Sequence, residues 1–181
     1  TFHEINRSVT STDPLSFSSR GSYKQRIFND QKRTGLTEAV VTGTCDIGGC
    51  PAMLIVLDFG FMGGTMGCVV GEKVALAFEH AGKKKLPVIA IITSGGARIQ
   101  EGVLSLMQMA KTSMAATQFG KKGLPFIAVL ANPATGQTYA SFGSLADIIV
   151  AEPGAILGLS SLRAIKQSME DNLPDNPNTS E

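Results

Sequence analysis

Histidine and cysteine are scarce in this chain, acid and base nearly cancel, and no apolar run is long. Each shortage removes a class of function. His3 and His80 are the only histidines. Ser141 follows Gly136-Gln137 in the manner of a nucleophile region, yet no histidine comes after it, so a Ser-His-Asp relay lacks its base. His80 sits near a helix end on a polar stretch and reads as a surface or capping residue; His3 carries no argument. Cys45, Cys50 and Cys68 stand five and eighteen residues apart. That spacing fits neither zinc knuckles nor a secreted disulfide framework, so no metal site is expected within these residues and a reducing compartment is the simpler reading. Lys plus Arg number 16 against 15 Asp plus Glu, a formal charge of +1. Such a balance offers no footprint for nucleic acid or an anionic membrane surface. The longest apolar runs, residues 52–57 and 86–92, fall far below the roughly 20 residues of a membrane span. Residues 67–73 (GCVVGEK) lack Walker spacing and no G-x-G-x-x-G opens a helix, so nucleotide binding through a phosphate loop is not expected.

Glycine, by contrast, is in surplus: 20 among 181 residues, about 11% against a usual ~7%. Backbone groups can therefore come within reach of a ligand where side-chain chemistry is thin. The length suits one domain. Residues 1–38 read as an N-terminal arm with a short helix over 23–32, stapled to the body by Phe2, Ile5, Leu15, Phe17, Tyr23 and Ile27. Residues 39–171 form the core, and 172–181 (NLPDNPNTSE) read as a linker or truncated tail. With no signal pattern behind Thr1, the expectation is a piece of a longer protein. Within the core, apolar runs over 39–42 and 52–59 flank Gly48-Gly49 as two strands around a turn. Val70, Val74, Ala77, Phe78 and Ala81 recur at helical spacing until Gly82 and Lys83-Lys84-Lys85 supply a stop. A strand over 86–92 precedes a helix carrying Val103, Leu106, Met107, Ala110 and Met114. Another over 124–131 precedes a short helix over 138–145, and strands over 148–151 and 155–157 follow. Continuous apolar strands alternating with helices predict an α/β fold of ββα units around a mostly parallel sheet covered on both faces.

The sharpest local feature is Ser94-Gly95-Gly96-Ala97-Arg98, at a strand end before a helix. Unpaired N–H groups and a positive helix end would converge there and hold negative charge. A tight turn whose glycines serve packing is the plainer alternative. Gly136 occupies the same place one unit later, so two strand ends could share one anion pocket. Arg98 starts a helix, where a cation needs a nearby anion; Glu101 and Asp147 are the internal candidates, and a buried ion pair competes with a bound carboxylate or phosphate. Lys83, Lys84 and Lys85 read as a solvated helix end, and Met107, Met109 and Met114 as core and interface filler.

The motifs at 61–67 (FMGGTMG), 94–102 (SGGARIQEG) and 105–112 (SLMQMAKT) resemble the carboxyltransferase β-subunit family of multisubunit acetyl-CoA carboxylases. The likeness extends through Asp13-Pro14-Leu15, Tyr23-Lys24, residues 32–39 (KRTGLTEA), Ala140-Ser141-Phe142 and Ala151-Glu152-Pro153, and the N-terminal stretch looks like the plastid and cyanobacterial versions. The resemblance implies a crotonase (ClpP-like) superhelix and transfer of a carboxyl group from carboxybiotin to acetyl-CoA, giving malonyl-CoA for fatty acid synthesis. It implies partnership in a hetero-oligomer with a carboxyltransferase α subunit, a biotin carboxyl carrier protein and biotin carboxylase, in plastid stroma or bacterial cytoplasm. By the same resemblance Gly95 and Gly96 would give the N–H groups of one oxyanion hole and Gly136 and Gln137 a complementary donor, while Phe61, Met62, Gly63, Gly64, Ala97 and Arg98 would lie along the acyl-CoA pocket. Three departures stand out. The family's zinc ribbon is missing and could lie only upstream of Thr1. Gly136-Gln137-Thr138 replaces Gly-Gly-Val, and residues 159–163 (LSSLR) replace Phe-Ala-Gly-Pro-Arg. A non-catalytic subunit of the same assembly and an enzyme for another acyl-CoA stay open as alternatives.

Overall fold

Buried and half-buried residues alternate along the two central strands, so one face of the sheet carries the helices and the other is only partly covered. The expectation of two fully covered faces is corrected accordingly. The computed structural model describes residues 1–19, 21–160 and 178–180. The linker expected over 172–181, and Ser161, Leu162 and Arg163, fall mostly or wholly outside the described residues. Chain order is β1 (Phe2–Ile5), α1 (Tyr23–Thr34), β2 (Val40–Ile47), β3 (Cys50–Leu57), α2 (Cys68–Lys84), β4 (Val88–Ser94), α3 (Val103–Gly120), β5 (Phe126–Thr135), α4 (Gln137–Ala140), β6 (Ile148–Ala151) and β7 (Leu157–Gly158). The sheet runs β1-β2-β3-β4-β5-β6, with β7 beside the far end of β5. Pairing is antiparallel through β1, β2 and β3 and parallel from β3 onward.

Local chemistry explains most boundaries. The Ser22 hydroxyl accepts from the Gln25 N–H and caps α1, and Lys32 and Arg33 sit in its last turn. Helix α2 ends at Lys84, within the predicted stop, with Lys83 and Lys84 in its last turn. The Lys122 side chain of the α3–β5 loop packs over Gly82, where a Cβ would otherwise stand. Strand β1 escaped prediction; it adds the arm to the sheet edge by pairing with β2 from Phe2 opposite Cys45 to Ile5 opposite Thr42. Phe78 of α2 anchors the core, 4.9 Å edge-on from Phe126 and 5.5 Å from Phe119. Truncating such a residue to Ala costs about 3–5 kcal/mol.

Two features set up the site. Strands β4 and β5 pair residue for residue from Val88–Phe126 to Ile92–Leu130, then the register shifts so that Ser94 lies opposite Ala134. Strand β5 thus bulges and continues past its predicted end at 131, bringing the segment after Ser94 level with the segment after Ala134. The second feature is α3, whose buried residues are Ser105, Gln108, Thr112, Ala116 and Phe119. Its predicted apolar stripe faces out: Val103, Leu106, Met107 and Met114 are all more than half exposed. Gln108 packs where a Cβ on Gly71 of α2 would stand, so the helices meet there through a small and a polar group and elsewhere through Phe78 and Phe119. Ile148, Ile149 and Val150 of edge strand β6 are also about half exposed.

Candidate active site

At the ends of β4 and β5 two glycines meet. A Cβ built on Gly136 would stand 2.7 Å from the Gly96 Cα, and one on Gly96 would stand 3.2 Å from the Gly136 Cα. No side chain fits between them. Ser94 fastens the junction: its hydroxyl donates to the Gly64 carbonyl (2.7 Å), lies 2.9 Å from the Thr138 hydroxyl and accepts from the Gly96 N–H (3.1 Å). Thr135 adds a bond from its hydroxyl to the Ser94 carbonyl, 3.1 Å. An open cavity of about 400 Å³ lies over the junction, lined by Gly95, Gly96, Ala97, Thr135, Gly136 and Gln137 among others.

The two strand ends are brought together as expected, but the free donors differ. The Gly95 N–H donates to the Gly63 carbonyl at 2.9 Å, the Gly96 N–H goes to Ser94, and the Gly136 N–H goes to the Gly158 carbonyl at 2.8 Å. The cause is the loop before α2, which lies along the Gly95–Arg98 segment like a short extra strand, with Met66 bridging Ala97. In that bridge the Met66 N–H donates to the Gly96 carbonyl and the Arg98 N–H to the Met66 carbonyl, so the Ala97 N–H points the other way. Ala97 and Gln137, one on each strand end, have backbone N–H groups that meet no acceptor among the described residues. The N–H groups expected to be free at Gly95, Gly96 and Gly136 are therefore already engaged, which corrects that expectation; the unmatched amides here are those of Ala97 and Gln137. The Gln137 side chain does not plug the cavity. It turns inward and donates to the carbonyls of Met66 and Ser105, each at 2.9 Å.

Arg98 is fully buried, and its guanidinium is consumed inside the chain. It grips Glu38 with two bonds of 2.6 and 2.9 Å and donates to the Thr65 carbonyl (2.8 Å) and the Tyr23 hydroxyl (3.2 Å). Glu101 stands 3.7 Å away, whereas Asp147, the other partner predicted, instead accepts from the Phe126 N–H. The ion-pair reading holds and the acyl-CoA contact expected of Arg98 is corrected. Burial alone would raise the Glu38 pKa, but the Arg98 guanidinium, with Ser11 and the Ala39 N–H, holds it below the ordinary 4.5. Glu101 accepts from the Tyr23 hydroxyl (2.5 Å) and from the Cys68 N–H (2.6 Å). Its carboxylate thereby caps the positive end of α2, which lacks a side-chain cap of its own. Burial and this carboxylate push the Cys68 thiol up to about 11.

Of the residues expected along an acyl-CoA pocket, Phe61 is fully buried beneath Arg98, and Gly63 and Gly64 use their carbonyls to fix Gly95 and Ser94. These contacts hold the loop before α2 against the end of β4. Met62 and Ala97 line a second cavity of about 350 Å³ with Arg26, Asp30, Thr65, Ile99 and Gln100. Ala97 is common to both cavities. The Glu38 and Tyr23 anchors of Arg98 were missed as partners; Glu38 lies 60 positions away in sequence, beyond any local pattern.

Residues 7–177 match the carboxyl transferase domain family. The chain is 48% identical to the acetyl-coenzyme A carboxylase carboxyl transferase subunit beta of Prochlorococcus marinus over 181 residues, all of this chain and 62% of that protein. It is 50% identical to the subunit of the same name from Synechocystis sp., covering 100% of this chain and 56% of that one. The chain thus spans about three fifths of the length of the curated relatives it matches. Among solved structures, the transcarboxylase 12S hexamer with methylmalonyl-coenzyme A and methylmalonic acid bound superposes with a TM-score of 0.80 at 27% identity, over 99% of this chain and 32% of that one.

Proposed function

The chain belongs to the carboxyl transferase domain family, and from that premise we propose that it is the β-type half of an acetyl-CoA carboxylase carboxyltransferase, forming malonyl-CoA for fatty acid synthesis. The observation that carries this reading is the pair of unmatched amides, Ala97 and Gln137, at facing strand ends beside an open cavity. Removing a proton from the α-carbon of a thioester places negative charge on the thioester oxygen. Fixed N–H donors stabilise that oxyanion, each contributing about 2.7–4 kcal/mol when correctly placed. Gly96 and Gly136 keep side chains out of the way, so the acyl group can lie against the backbone. Met62, Thr65 and Ala97 border the neighbouring cavity, where the coenzyme portion would lie.

Among the described residues lining the site cavity, none carries a titratable side chain. That fits a donor bringing its own base: carboxybiotin on a biotin carboxyl carrier protein would supply the carboxyl group and the proton acceptor. Leu106 and Leu159 line the cavity and are exposed, with Met107 beside Leu106 on α3, and this apolar rim would seat the α subunit that closes the cleft. Biotin carboxylase would recharge the carrier, in bacterial cytoplasm or plastid stroma. A second reading, action on another acyl-CoA, draws on the methylmalonyl-coenzyme A bound in the transcarboxylase neighbour. The test is co-purification of the assembly followed by the reverse assay, malonyl-CoA plus biotin derivative to acetyl-CoA. Turnover of malonyl-CoA at least about ten-fold faster than methylmalonyl-CoA is expected. The opposite preference favours the second reading, and no turnover of either defeats both.

A further inference from the structure

The side chain of Gln137 stands where three parts of the site meet. Its Nε2 donates to the Met66 carbonyl and to the Ser105 carbonyl in the first turn of α3, and its own backbone N–H is one of the two unmatched donors. Met66 in turn sets the other donor, because its N–H and carbonyl clasp Gly96 and Arg98 on either side of Ala97. We infer that the Gln137 carboxamide is a positioning residue: it ties the loop that aims the Ala97 N–H to the turn that carries the Gln137 N–H, and so fixes the gap between the two. The inference rests on the carboxyltransferase reading of the site.

A role in stability alone fits the geometry poorly. Gln137 is 5% exposed, yet its Oε1 has no hydrogen-bond partner among the described residues, and a buried acceptor left unmade works against the folded state. The carbonyls it serves do not depend on it for satisfaction, since the Met66 oxygen also accepts from the Arg98 N–H and the Ser105 oxygen lies within the body of α3. Replacing the carboxamide by an apolar chain of equal length therefore strands no backbone group and removes an orphan. What is lost is the direct tie between two segments that are otherwise joined only through the Ser94 hydroxyl and the Gly96–Gly136 contact.

The experiment compares Gln137→Met and Gln137→Glu with the unaltered chain in the assembled complex. For Gln137→Met, kcat in the reverse assay falls by about ten-fold or more while KM for malonyl-CoA stays within about three-fold. For Gln137→Glu, the carboxylate faces two carbonyl oxygens and cannot donate, so kcat is low at pH 8. Protonation restores one donor, and kcat relative to the unaltered enzyme recovers toward pH 6, a limb absent from Gln137→Met. Independently of activity, the Met66 and Arg98 amides exchange hydrogen about ten-fold faster in Gln137→Met. Unaltered exchange at both amides overturns the tie whatever the assay reads. Full kcat in Gln137→Met, or a loss confined to KM, overturns the positioning role. An unaltered complex inert toward malonyl-CoA defeats the carboxyltransferase reading instead, and the exchange data still decide the tie.

Discussion

Replacing Gly136 by Ala tests the opposed glycines directly. Gly136 has φ 68° and ψ −145°, a region essentially reserved for glycine, and an L side chain there costs about 1–3 kcal/mol. For a domain of this size each kcal/mol lowers Tm by roughly 2–4 °C, so strain alone predicts a fall of roughly 2–12 °C. Crowding adds a second, separable effect. The new Cβ would stand 2.7 Å from the Gly96 Cα, where ordinary contact begins at 3.4 Å. The obstacle is backbone and cannot rotate aside, so the two strand ends must part by most of an ångström. A displacement of that size between donors and reacting atoms costs on the order of 100-fold in rate. Carboxyl transfer in the assembled complex should therefore drop about 100-fold, with the complex still formed. Gly154→Ala is the control: Gly154 has φ 71°, and a Cβ added there would meet no heavy atom within 4 Å, so this variant loses stability without crowding the site and keeps its kcat. If Gly136→Ala retains kcat within about three-fold of Gly154→Ala, the two glycines do not set the donor spacing and the site reasoning fails.

Three further outcomes are expected. Glu38→Gln leaves the Arg98 guanidinium with Glu101 at 3.7 Å as its remaining carboxylate and should cost about 3–5 kcal/mol in urea unfolding at pH 7. Because the folded Glu38 pKa lies below 4.5, its contribution is full above that value and drains as pH falls toward the folded pKa; equal acid sensitivity in Glu38→Gln and the unaltered chain would contradict the pairing. Cys68, with its thiol at about 11, presents only ~0.1% thiolate at pH 8, so mass spectrometry of iodoacetamide-treated folded protein should find exposed Cys50 modified well before Cys68. Met107→Glu, on the exposed face of α3, should weaken capture of the α subunit at least about ten-fold with Tm within about 2 °C; intact capture would move the partner surface elsewhere.

The parts of the fold that were legible in the sequence are those whose signal is local. Gly48-Gly49 between two apolar runs gave the β2–β3 hairpin, and the period of Val70, Val74 and Ala77 gave α2. Strand β1 was not legible because its four residues gain their shape from β2, some forty positions away. Nor was the far end of β5, where a bulge carries the strand through Pro133. The stripe on α3 announced a helix but not its orientation; periodicity says that one side is apolar, not which neighbour it meets. In the site, the pairing of Gly96 with Gly136 could be read from two equivalent strand ends. On the first strand end the free amide was misplaced, since only the folded loop shows that Gly63 already accepts the Gly95 N–H and leaves that of Ala97 unmatched. Arg98 declared its need for an anion, and the topology supplied Glu38 in place of Asp147.

Helix α3 turns its oil outward, and edge strand β6 does the same at the other border of the sheet. A newly made copy of this chain is therefore sticky until something covers those faces. If the proposed α subunit is what covers them, abundance would follow the supply of that chain more than this chain's own folding equilibrium, because surplus copies feed aggregation and proteolysis. On the assembly proposed above, matched synthesis of the two chains would be a requirement written into the outer surface of one helix.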